Sequence, residues 1–318
     1  MDKRVYIVMY HYVREIEMSR YPGIKGLEVR HFRNQIEYMK KYFSFISPDD
    51  LLNALNGGTL PHNAILLTFD DGYIDHYTHV FSILKNYKIS GFFSMPGKIL
   101  AERKMLDVHK IHFVLAVKPI KELLPMVFTQ LDRYRGSEYP IPSNRELYEK
   151  LAIASRFDCR EVMFLKRLLQ AELPERLRSK VVDGLFRACV GISEEIFVRE
   201  LYMDRDQVRL MSREGMCFGI HGYEHNWMNR LALNVLDQDI DMALDVFDGI
   251  IDRRQWICCY PYGLYSDEVI ECVRQKGAVA GITVNVDIAR IDRCDRYRLP
   301  RFDTNDFPPQ SERYINYT

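Results

Sequence analysis

Short apolar runs typical of buried strands alternate with amphipathic helical segments in the first and last thirds of this 318-residue chain. The strand-like runs are residues 5–10, 64–69, 90–95, 216–220, 256–260 and 279–284. Because parallel strands must be joined by a long crossover, usually a helix, this alternation predicts a mostly parallel sheet covered by helices. The predicted fold class is α/β, with the sheet either open or closed into a barrel.

The middle of the chain, from about residue 101 to 203, has a different pattern. It consists of charged, Leu-rich helical segments interrupted by prolines, without strand-like alternation. We expect residues 1–100 and 204–303 to form one domain. Residues 101–203 are expected to be a helical insertion that serves as a lid, a docking face or a dimer surface, and residues 304–318 a polar C-terminal tail.

Composition narrows the classes of partner and compartment. The 44 Lys and Arg residues balance 44 Asp and Glu residues, so the chain lacks the basic charge typical of nucleic-acid-binding proteins. Seven cysteines are scattered without a CxxC pair, which suits a reducing compartment. The N-terminal apolar run is too short for a signal sequence or a membrane-spanning helix. We therefore expect a soluble cytoplasmic protein that binds no nucleic acid.

Three polar clusters stand directly after predicted strands. They are Asp70-Asp71-Gly72, His221-Gly222-Tyr223-Glu224-His225 and Pro261-Tyr262-Gly263. Each has an ordinary structural explanation, since Asp-Gly and Pro-Tyr-Gly sequences are common in turns and an Asp often caps a helix. In parallel α/β folds, however, the loops at the carboxyl ends of the strands meet on one side, where active sites form. We therefore expect these clusters to lie together.

The residue types in these clusters match a hydrolytic metal site. One carboxylate and two imidazoles, with a further position open to water, are a zinc-type ligand set. Such a metal activates water and polarises a carbonyl oxygen, while the remaining aspartate can act as a general base. A backbone N–H of the Pro-Tyr-Gly loop can face the developing oxyanion. The combination predicts hydrolysis of an amide or an ester.

The same residues carry a resemblance to a known family. The motifs occur in the order Met9-Tyr10-His11-Tyr12-Val13, Asp49-Asp50-Leu51, Thr68-Phe69-Asp70-Asp71-Gly72, His221-x-x-x-His225 and Tyr260-Pro261-Tyr262-Gly263. In these motifs the chain resembles the NodB-type polysaccharide deacetylases, carbohydrate esterase family 4, over about residues 1–98 and 204–303. The resemblance implies a distorted (β/α) barrel of about seven parallel strands. It also implies a metal-dependent hydrolase that removes N- or O-acyl groups from sugars.

By matching position, the resemblance assigns a role to each motif residue. Asp70 corresponds to the general base, and the metal ligands correspond to Asp71, His221 and His225. The backbone of Tyr262, which follows the motif proline Pro261, corresponds to the oxyanion donor. The ligand set favours Zn²⁺ and leaves other first-row ions open.

Two departures from the family pattern bear on the mechanism. The family usually has an arginine two residues before the motif proline, where it orients the base aspartate, but this chain has Cys259. Arg298 or Arg301 can supply a guanidinium instead. The family's Leu-x-His motif provides the histidine that protonates the leaving amine, but no histidine follows His225. Either Asp70 passes its proton on, or a residue such as His11 is the acid, or activity is weak or absent.

Other histidines form two further pairs. His76 and His79 lie three residues apart on one predicted helix, and we expect them on its solvated surface. His109 and His112 begin the insertion, where His109 or the adjacent Lys110 is a candidate for a substrate-facing role.

These observations lead to a hypothesis with two alternatives. We expect a cytoplasmic hydrolase that removes an N-acyl, acetyl-type group from a sugar, in a nucleotide-linked or lipid-linked precursor of a surface glycan or lipopolysaccharide. An O-deacylase is the first alternative, because ester cleavage tolerates a missing acid better. A degenerate, non-catalytic carbohydrate-binding member of the family is the second. The oligomeric state is not readable from the sequence.

Overall fold

The structure is a computed structural model that describes residues 3–136 and 139–317. Its strands are β1 (Arg4–Tyr10), β2 (Val13–Arg14), β3 (Leu27–Glu28), β4 (Ser44–Phe45), β5 (Ala64–Asp70), β6 (Phe92–Met95), β7 (Cys217–Ile220), β8 (Trp256–Cys259), β9 (Ala278–Ile282), β10 (Ala289–Arg290) and β11 (Phe302–Asp303). Residues 1–2 and 318, which belong to the predicted ranges 1–100 and 304–318, and residues 137–138 of the predicted insertion lie outside the described residues.

The helices alternate with the longer strands in the first and last parts of the chain. They are α1 (Val29–Tyr42), α2 (Pro48–Leu55), α3 (Ser82–Tyr87), α4 (Gly97–Ala101), α5 (Asp107–Val117), α6 (Ile120–Tyr134), α7 (Asn144–Leu151), α8 (Arg160–Arg167), α9 (Glu175–Val190), α10 (Glu194–Leu201), α11 (Arg205–Arg213), α12 (Leu233–Val246) and α13 (Asp267–Gln275). A π-helical turn (His76–Phe81) precedes α3. As the sequence Ser47-Pro48-Asp49-Asp50 predicts, α2 begins with a capping box between Ser47 and Asp50.

The central sheet is open, curled and mostly parallel. Its strands follow the order β10-β1-β5-β6-β7-β8-β9, with β11 beside β1 and β4 beside β5. The pairings from β1 through to β9 are parallel, whereas β10 is antiparallel to β1. The predicted distorted (β/α) barrel is confirmed, as an open half-barrel with one antiparallel strand.

The strands are apolar because both of their faces are buried, and polar groups follow at their ends. All seven residues of β5 are buried, as expected for a parallel strand whose two faces are both covered. The parallel register pairs Asp70 of β5 with Ser94 of β6, and Met95 of β6 with Ile220 of β7. Residues that follow Asp70 and Ile220 therefore emerge at the same edge of the sheet.

Contacts divide the chain into two compact units. The first comprises residues 1–15, 26–103 and 199–318, and the second comprises residues 16–25 and 104–198. The second unit is helical, and it comprises residues 16–25 as well as 104–198, whereas the insertion was predicted at residues 101–203. That short segment has no repeating pattern from which its packing partner could be predicted.

The C-terminal tail belongs to the first unit and is more apolar in its packing than its polar composition suggests. Phe307 is fully buried and Tyr314 is 7% exposed. Their rings stack with centroids 4.5 Å apart. Two well-spaced aromatic residues thus anchor a segment that is otherwise rich in polar residues and proline.

Candidate active site

The Asp70-Asp71-Gly72 motif turns the chain sharply at the end of β5. Asp71 and Gly72 have left-handed backbone torsions, with φ values of 75° and 68°, a conformation that is uncommon for residues with a side chain. Packing also disfavours a side chain at position 72, because a Cβ atom there would lie 2.5 Å from Cε and 2.8 Å from Cγ of the buried Met95. The turn gives the carboxylates of Asp70 and Asp71 separate surroundings.

Asp71, His221 and His225 bring three potential metal-ligand atoms together. Oδ1 of Asp71 lies 3.6 Å from Nε2 of His221 and 3.4 Å from Nε2 of His225, and the two Nε2 atoms are 3.2 Å apart. Ligand atoms of a tetrahedral zinc ion, each about 2.0–2.2 Å from the metal, lie about 3.3–3.6 Å from one another. All three residues are buried, and their spacing and donor types fit a divalent metal.

A backbone contact selects the metal-facing nitrogen of His221. Nδ1 of His221 donates a hydrogen bond to the carbonyl oxygen of Cys259 at 2.6 Å, so Nε2 carries the lone pair that a metal needs. His221 follows β7 and Cys259 ends β8, and these strands pair through Ile220 and Cys258. The sheet register therefore orients this ligand.

A buried carboxylate holds the loop that carries His225. Asp239 of α12 accepts hydrogen bonds from the backbone N–H groups of Tyr223 and Glu224, at 2.8 and 3.2 Å. Burial lowers the pKa of His225, although the nearby Asp71 carboxylate opposes this shift. A lowered pKa favours the neutral imidazole, which is the form that binds metals.

Asp70 lies in a buried ion pair with Arg301. Nη2 of Arg301 is 2.8 Å from Oδ2 of Asp70, and Nη1 donates to Oδ1 at 3.0 Å. The hydroxyl of Ser94 also donates to Oδ1, at 2.7 Å, and Sγ of Cys259 lies 3.5 Å from the same oxygen. Asp70 and Arg301 are each only 1% exposed.

The charges around Asp70 keep it ionised. Burial alone would raise the pKa of Asp70, but the positive charge of Arg301, with smaller contributions from His221 and His11, outweighs burial. The pKa of the Asp70 carboxyl is therefore held well below its usual range. Since a general base must be deprotonated to act, this environment suits that role.

The geometry distinguishes between the two candidate arginines. Arg301 is fixed by hydrogen bonds from Nε to the carbonyl oxygen of Thr283, at 2.7 Å, and from Nη1 to the hydroxyl of Thr68, at 3.1 Å. Arg298 instead forms ion pairs with Asp267 and Asp295, and its side chain is 41% exposed. Arg301, and not Arg298, supplies the guanidinium beside Asp70.

His11 lies at the exposed side of the metal-ligand cluster. Its Nε2 is 4.0 Å from Oδ2 of Asp71, and its side chain is 39% exposed. The backbone of His11 is held by His76, whose buried Nε2 donates a hydrogen bond to the carbonyl oxygen of His11 at 2.9 Å. The backbone of His11 is therefore fixed beside Asp71, and its side chain is partly accessible.

The Pro261-Tyr262-Gly263 motif forms a tight turn after β8. Pro261 is buried, and Tyr262 has a left-handed φ of 57°. The Tyr262 ring lies edge-on to the His225 ring with centroids 4.7 Å apart, and 5.7 Å from the ring of Trp227. The predicted oxyanion loop therefore lies beside the metal-ligand cluster.

Comparison with known proteins agrees with this geometry. The family model described as "Polysaccharide deacetylase" matches residues 57–118 and 188–281, which include Asp70, Asp71, both ligand histidines and the Pro-Tyr-Gly turn. This chain belongs to the polysaccharide deacetylase family. It is thereby identified as a deacetylase hydrolase that acts on amide bonds, in a family that is generally metal-dependent and whose substrates are acetylated sugars.

Solved structures of polysaccharide deacetylases share the fold over nearly the whole chain. The Streptococcus pyogenes deacetylase PplD in complex with acetate is 17% identical, with a TM-score of 0.60 over 99% of this chain and 98% of that chain. IcaB from Ammonifex degensii is 16% identical, with a TM-score of 0.56 over 98% and 95%. A de-N-acetylase from Aggregatibacter actinomycetemcomitans is 16% identical, with a TM-score of 0.53 over 94% of each chain. A comparison with curated proteins gave no match.

This polysaccharide deacetylase places its guanidinium differently from the motif pattern. Cys259 stands where the motif has arginine, and Arg301 reaches Asp70 from just before β11. Arg301 and His11 both lie outside the residues that the family model matches. Their proximity to the aspartates becomes visible only in the folded sheet, where β1 pairs with both β5 and β11.

Tyr73 is a site residue that sequence reasoning missed. Its hydroxyl donates a hydrogen bond to Oδ2 of Asp71 at 2.8 Å, and its side chain is fully buried. The Tyr73 ring stacks on Tyr12, with centroids 3.9 Å apart. In the sequence, a tyrosine after Asp-Asp-Gly cannot be distinguished from a tyrosine that only packs in the core. The neighbouring Asp71 could be recognised, because a carboxylate after a strand is a potential metal ligand.

Two expectations about histidines are wrong. His76 is fully buried rather than on a solvated surface, because its helical turn packs against the loop that carries His11, and His79 is half-buried. His109 is fully buried within α5 of the second unit, so its ring is not an accessible, substrate-facing group. Its neighbour Lys110 is only 5% exposed and pairs with Asp183 and Glu194.

Among the described residues, no helix is long and apolar enough to span a membrane.

Proposed function

We propose that this polysaccharide deacetylase is a metal-dependent enzyme that removes an N-acetyl-type group from a sugar. The observation that carries the proposal is the pairing of two arrangements at one sheet edge. Three buried ligand atoms lie within 3.6 Å of one another, and the adjacent Asp70 is held ionised by Arg301. The first fits a divalent metal and the second fits a general base.

Asp71, His221 and His225 would hold the metal, and Zn²⁺ is the ion that we propose, with other first-row ions able to occupy the same ligands. When bound, the metal supplies Lewis acidity that polarises an acyl oxygen and makes water more acidic. The chain itself contributes the fixed tautomer of His221 and the hydrogen bond from Tyr73 to Asp71.

Asp70 is the proposed base, and the Tyr262 backbone is the proposed oxyanion donor. The Asp70 carboxylate accepts a proton from the attacking water, which becomes the nucleophile that adds to the amide carbonyl. The backbone N–H of Tyr262, in the turn beside His225, stabilises the oxyanion that forms. Arg301 keeps the base ionised before attack and remains its counter-ion throughout.

His11 is the proposed acid for the leaving amine. An amide expels a poor leaving group, so nitrogen must gain a proton as the C–N bond breaks. The His11 side chain is 39% exposed and its Nε2 lies 4.0 Å from Oδ2 of Asp71, which supports this assignment. Transfer of the proton from Asp70 to the amine is the alternative. Protonation of the leaving group is the step in which N-deacylation and O-deacylation differ most.

We further propose that the substrate is a nucleotide-linked or lipid-linked sugar precursor in the cytoplasm, used in surface glycan or lipopolysaccharide biosynthesis. The absence of net charge in the chain argues against electrostatic capture of a strongly anionic polymer. All seven cysteines are free thiols, which supports a reducing compartment.

Metal analysis with acetate release tests the metal-dependent function. The purified chain is expected to bind one divalent ion and to release acetate from N-acetylated sugars. His221→Ala and His225→Ala are expected to lose both properties, and the exposed His62→Ala control is expected to keep both. Equal metal content in all four proteins would refute the ligand assignment. Metal binding without acetate release would favour the non-catalytic, carbohydrate-binding alternative.

A matched amide and ester of one sugar test the acid. We expect His11→Ala to lower the rate of amide cleavage by about 10²–10⁴-fold, the usual contribution of general acid–base catalysis, and to affect ester cleavage much less. Equal losses on the two substrates would contradict the assignment of His11 as acid. A native enzyme that cleaves only the ester would instead indicate an O-deacylase.

A further inference from the structure

The second unit contains a cavity that is separate from the residues of the active site. Its volume is about 450 Å³, within the range of about 300–1,000 Å³ that is common for small-molecule sites. Its apolar lining comes from the segment 16–25 and from α5, α6 and α8, together with the connection between α5 and α6. The lining includes Ile24, Leu115, Ala116, Pro119, Ile120 and Val162.

One wall of the cavity depends on a close backbone contact. A Cβ atom at Gly23 would lie 2.3 Å from the carbonyl oxygen of Ala116. Only glycine therefore allows the segment 16–25 to lie this close to the end of α5. The contact fixes the spacing of two lining elements, as expected of a preformed site.

Three lysines, one aspartate and one histidine, His112, also line the cavity. Lys25 and Lys166 both pair with the Asp158 carboxylate, with Nζ–O distances of 2.5 and 2.7 Å. Although burial opposes it, these lysines lower the pKa of Asp158, so the carboxylate carries its charge. One carboxylate cannot neutralise two ammonium groups, and each ammonium has three N–H donors.

The third lysine does not change this balance. Lys118 pairs at 2.9 Å with Glu122, which lies one turn further along the chain and does not line the cavity. With Glu122 included, three lysines face two carboxylates. The cavity thus combines apolar walls with a local excess of about one positive charge.

We propose that this cavity binds an amphiphile with an aliphatic tail and a single anionic head group. The apolar walls match the tail, and the lysine excess matches an anionic head group such as a carboxylate or a phosphate monoester. The proposal is independent of the proposed function, since all its residues belong to the second unit.

Calorimetric titration of the full chain tests the proposal with three probes that share one tail. Decanoate and decyl phosphate are expected to bind, and decanol is expected to bind at least 10-fold more weakly. A preference for decanoate or for decyl phosphate would identify the head group as a carboxylate or a phosphate, and either result supports the proposal. Failure of both anions to bind, or equal binding of decanol, would overturn it.

Variants localise the binding. Val162→Trp fills the cavity and should weaken decanoate binding at least 10-fold, whereas Val235→Trp, on an exposed position of α12, should leave it unchanged. Lys118→Gln should weaken binding severalfold, and Lys121→Gln, an exposed lysine outside the lining, should not. If Val162→Trp unfolds the chain, as circular dichroism would reveal, Leu115→Trp replaces it. Unchanged affinity in a folded cavity-filling variant would refute this location.

Discussion

Asp70 and Asp71 are neighbours in the chain, but their carboxylates are held in different ways. Asp70 ends a strand and is surrounded by side chains from other strand ends, namely Ser94, Cys259 and Arg301. Asp71 lies in a turn with a left-handed backbone, and its partners Tyr73 and His225 also lie on loops. The base side of the site is therefore part of the sheet, whereas the metal side is built from loops that the sheet positions.

This difference separates the expected effects of substitutions. On the base side, a change breaks a buried ion pair, so stability and the pKa of Asp70 should change together with activity. On the metal side, a change outside the ligands should alter metal affinity while leaving the sheet intact. The three predictions below test this contrast, from the largest expected effect to the smallest.

Asp70→Asn should have the largest effect. It removes the proposed base, so kcat for amide cleavage should fall by about 10²–10⁴-fold. It also leaves Arg301 buried without its counter-ion, which should lower the free energy of unfolding by about 3–5 kcal/mol. Acetate release and urea denaturation measure the two effects.

Asp206→Asn is the matched control, because the Asp206 side chain is 95% exposed. It should change the free energy of unfolding by no more than about 0.5 kcal/mol. If Asp70→Asn kept wild-type kcat, Asp70 would not be the base. If it kept wild-type stability, the ion pair would not anchor this side of the site.

Arg301→Met should shift the pH profile. Arg301 lowers the pKa of Asp70, so its removal raises that pKa, and the base becomes protonated at higher pH. The acid limb of kcat/KM should therefore move to higher pH by about 1–3 units, the usual effect of an opposite charge on a carboxyl pKa. Arg298→Met removes a partly exposed arginine and should leave the limb in place. A shift to lower pH would contradict the sign of this coupling.

Tyr73→Phe should have the smallest effect. It removes one hydrogen bond to Asp71 and keeps the ring that stacks on Tyr12. Metal affinity should fall by about 10-fold, at the low end of what loss of a partner to a metal ligand costs. The pH profile of kcat/KM at saturating metal should not change. Tyr42→Phe, at a position that is 56% exposed, is the control for competitive chelator titration.

Much of the fold could be predicted because local patterns agree with tertiary packing. The strands β1, β5, β7 and β8 lie within one or two residues of their predicted bounds, since each is mostly buried and therefore mostly apolar. The two-residue strands β10 and β11 were missed because so short a segment has no period. The assignment of residues 16–25 to the helical unit depends on long-range packing that no local pattern records.

Site residues could be predicted where a side chain with metal-binding or catalytic chemistry lies in a cluster that follows a predicted strand. Asp71, His221 and His225 were expected to meet because each follows a strand of a parallel sheet, and the structure brings them together. The choice between Arg298 and Arg301 stayed open because Asp70, the residue that the guanidinium must reach, is far away in sequence. Asp70 and Arg301 are 231 residues apart. Asp239 was missed because an acidic residue in an amphipathic helix usually faces solvent, whereas this one holds a loop backbone.

The late position of Arg301 in the chain also bears on how the enzyme is made. A nascent chain that has reached residue 282 contains the base, all three metal ligands and the Pro-Tyr-Gly turn, but not the counter-ion of the base. Until Arg301 is synthesised and joins the sheet, burial would favour the protonated, inactive form of Asp70. Ionisation of the base therefore depends on completion of the last strand, so truncated translation products that retain every motif should still lack an ionised Asp70.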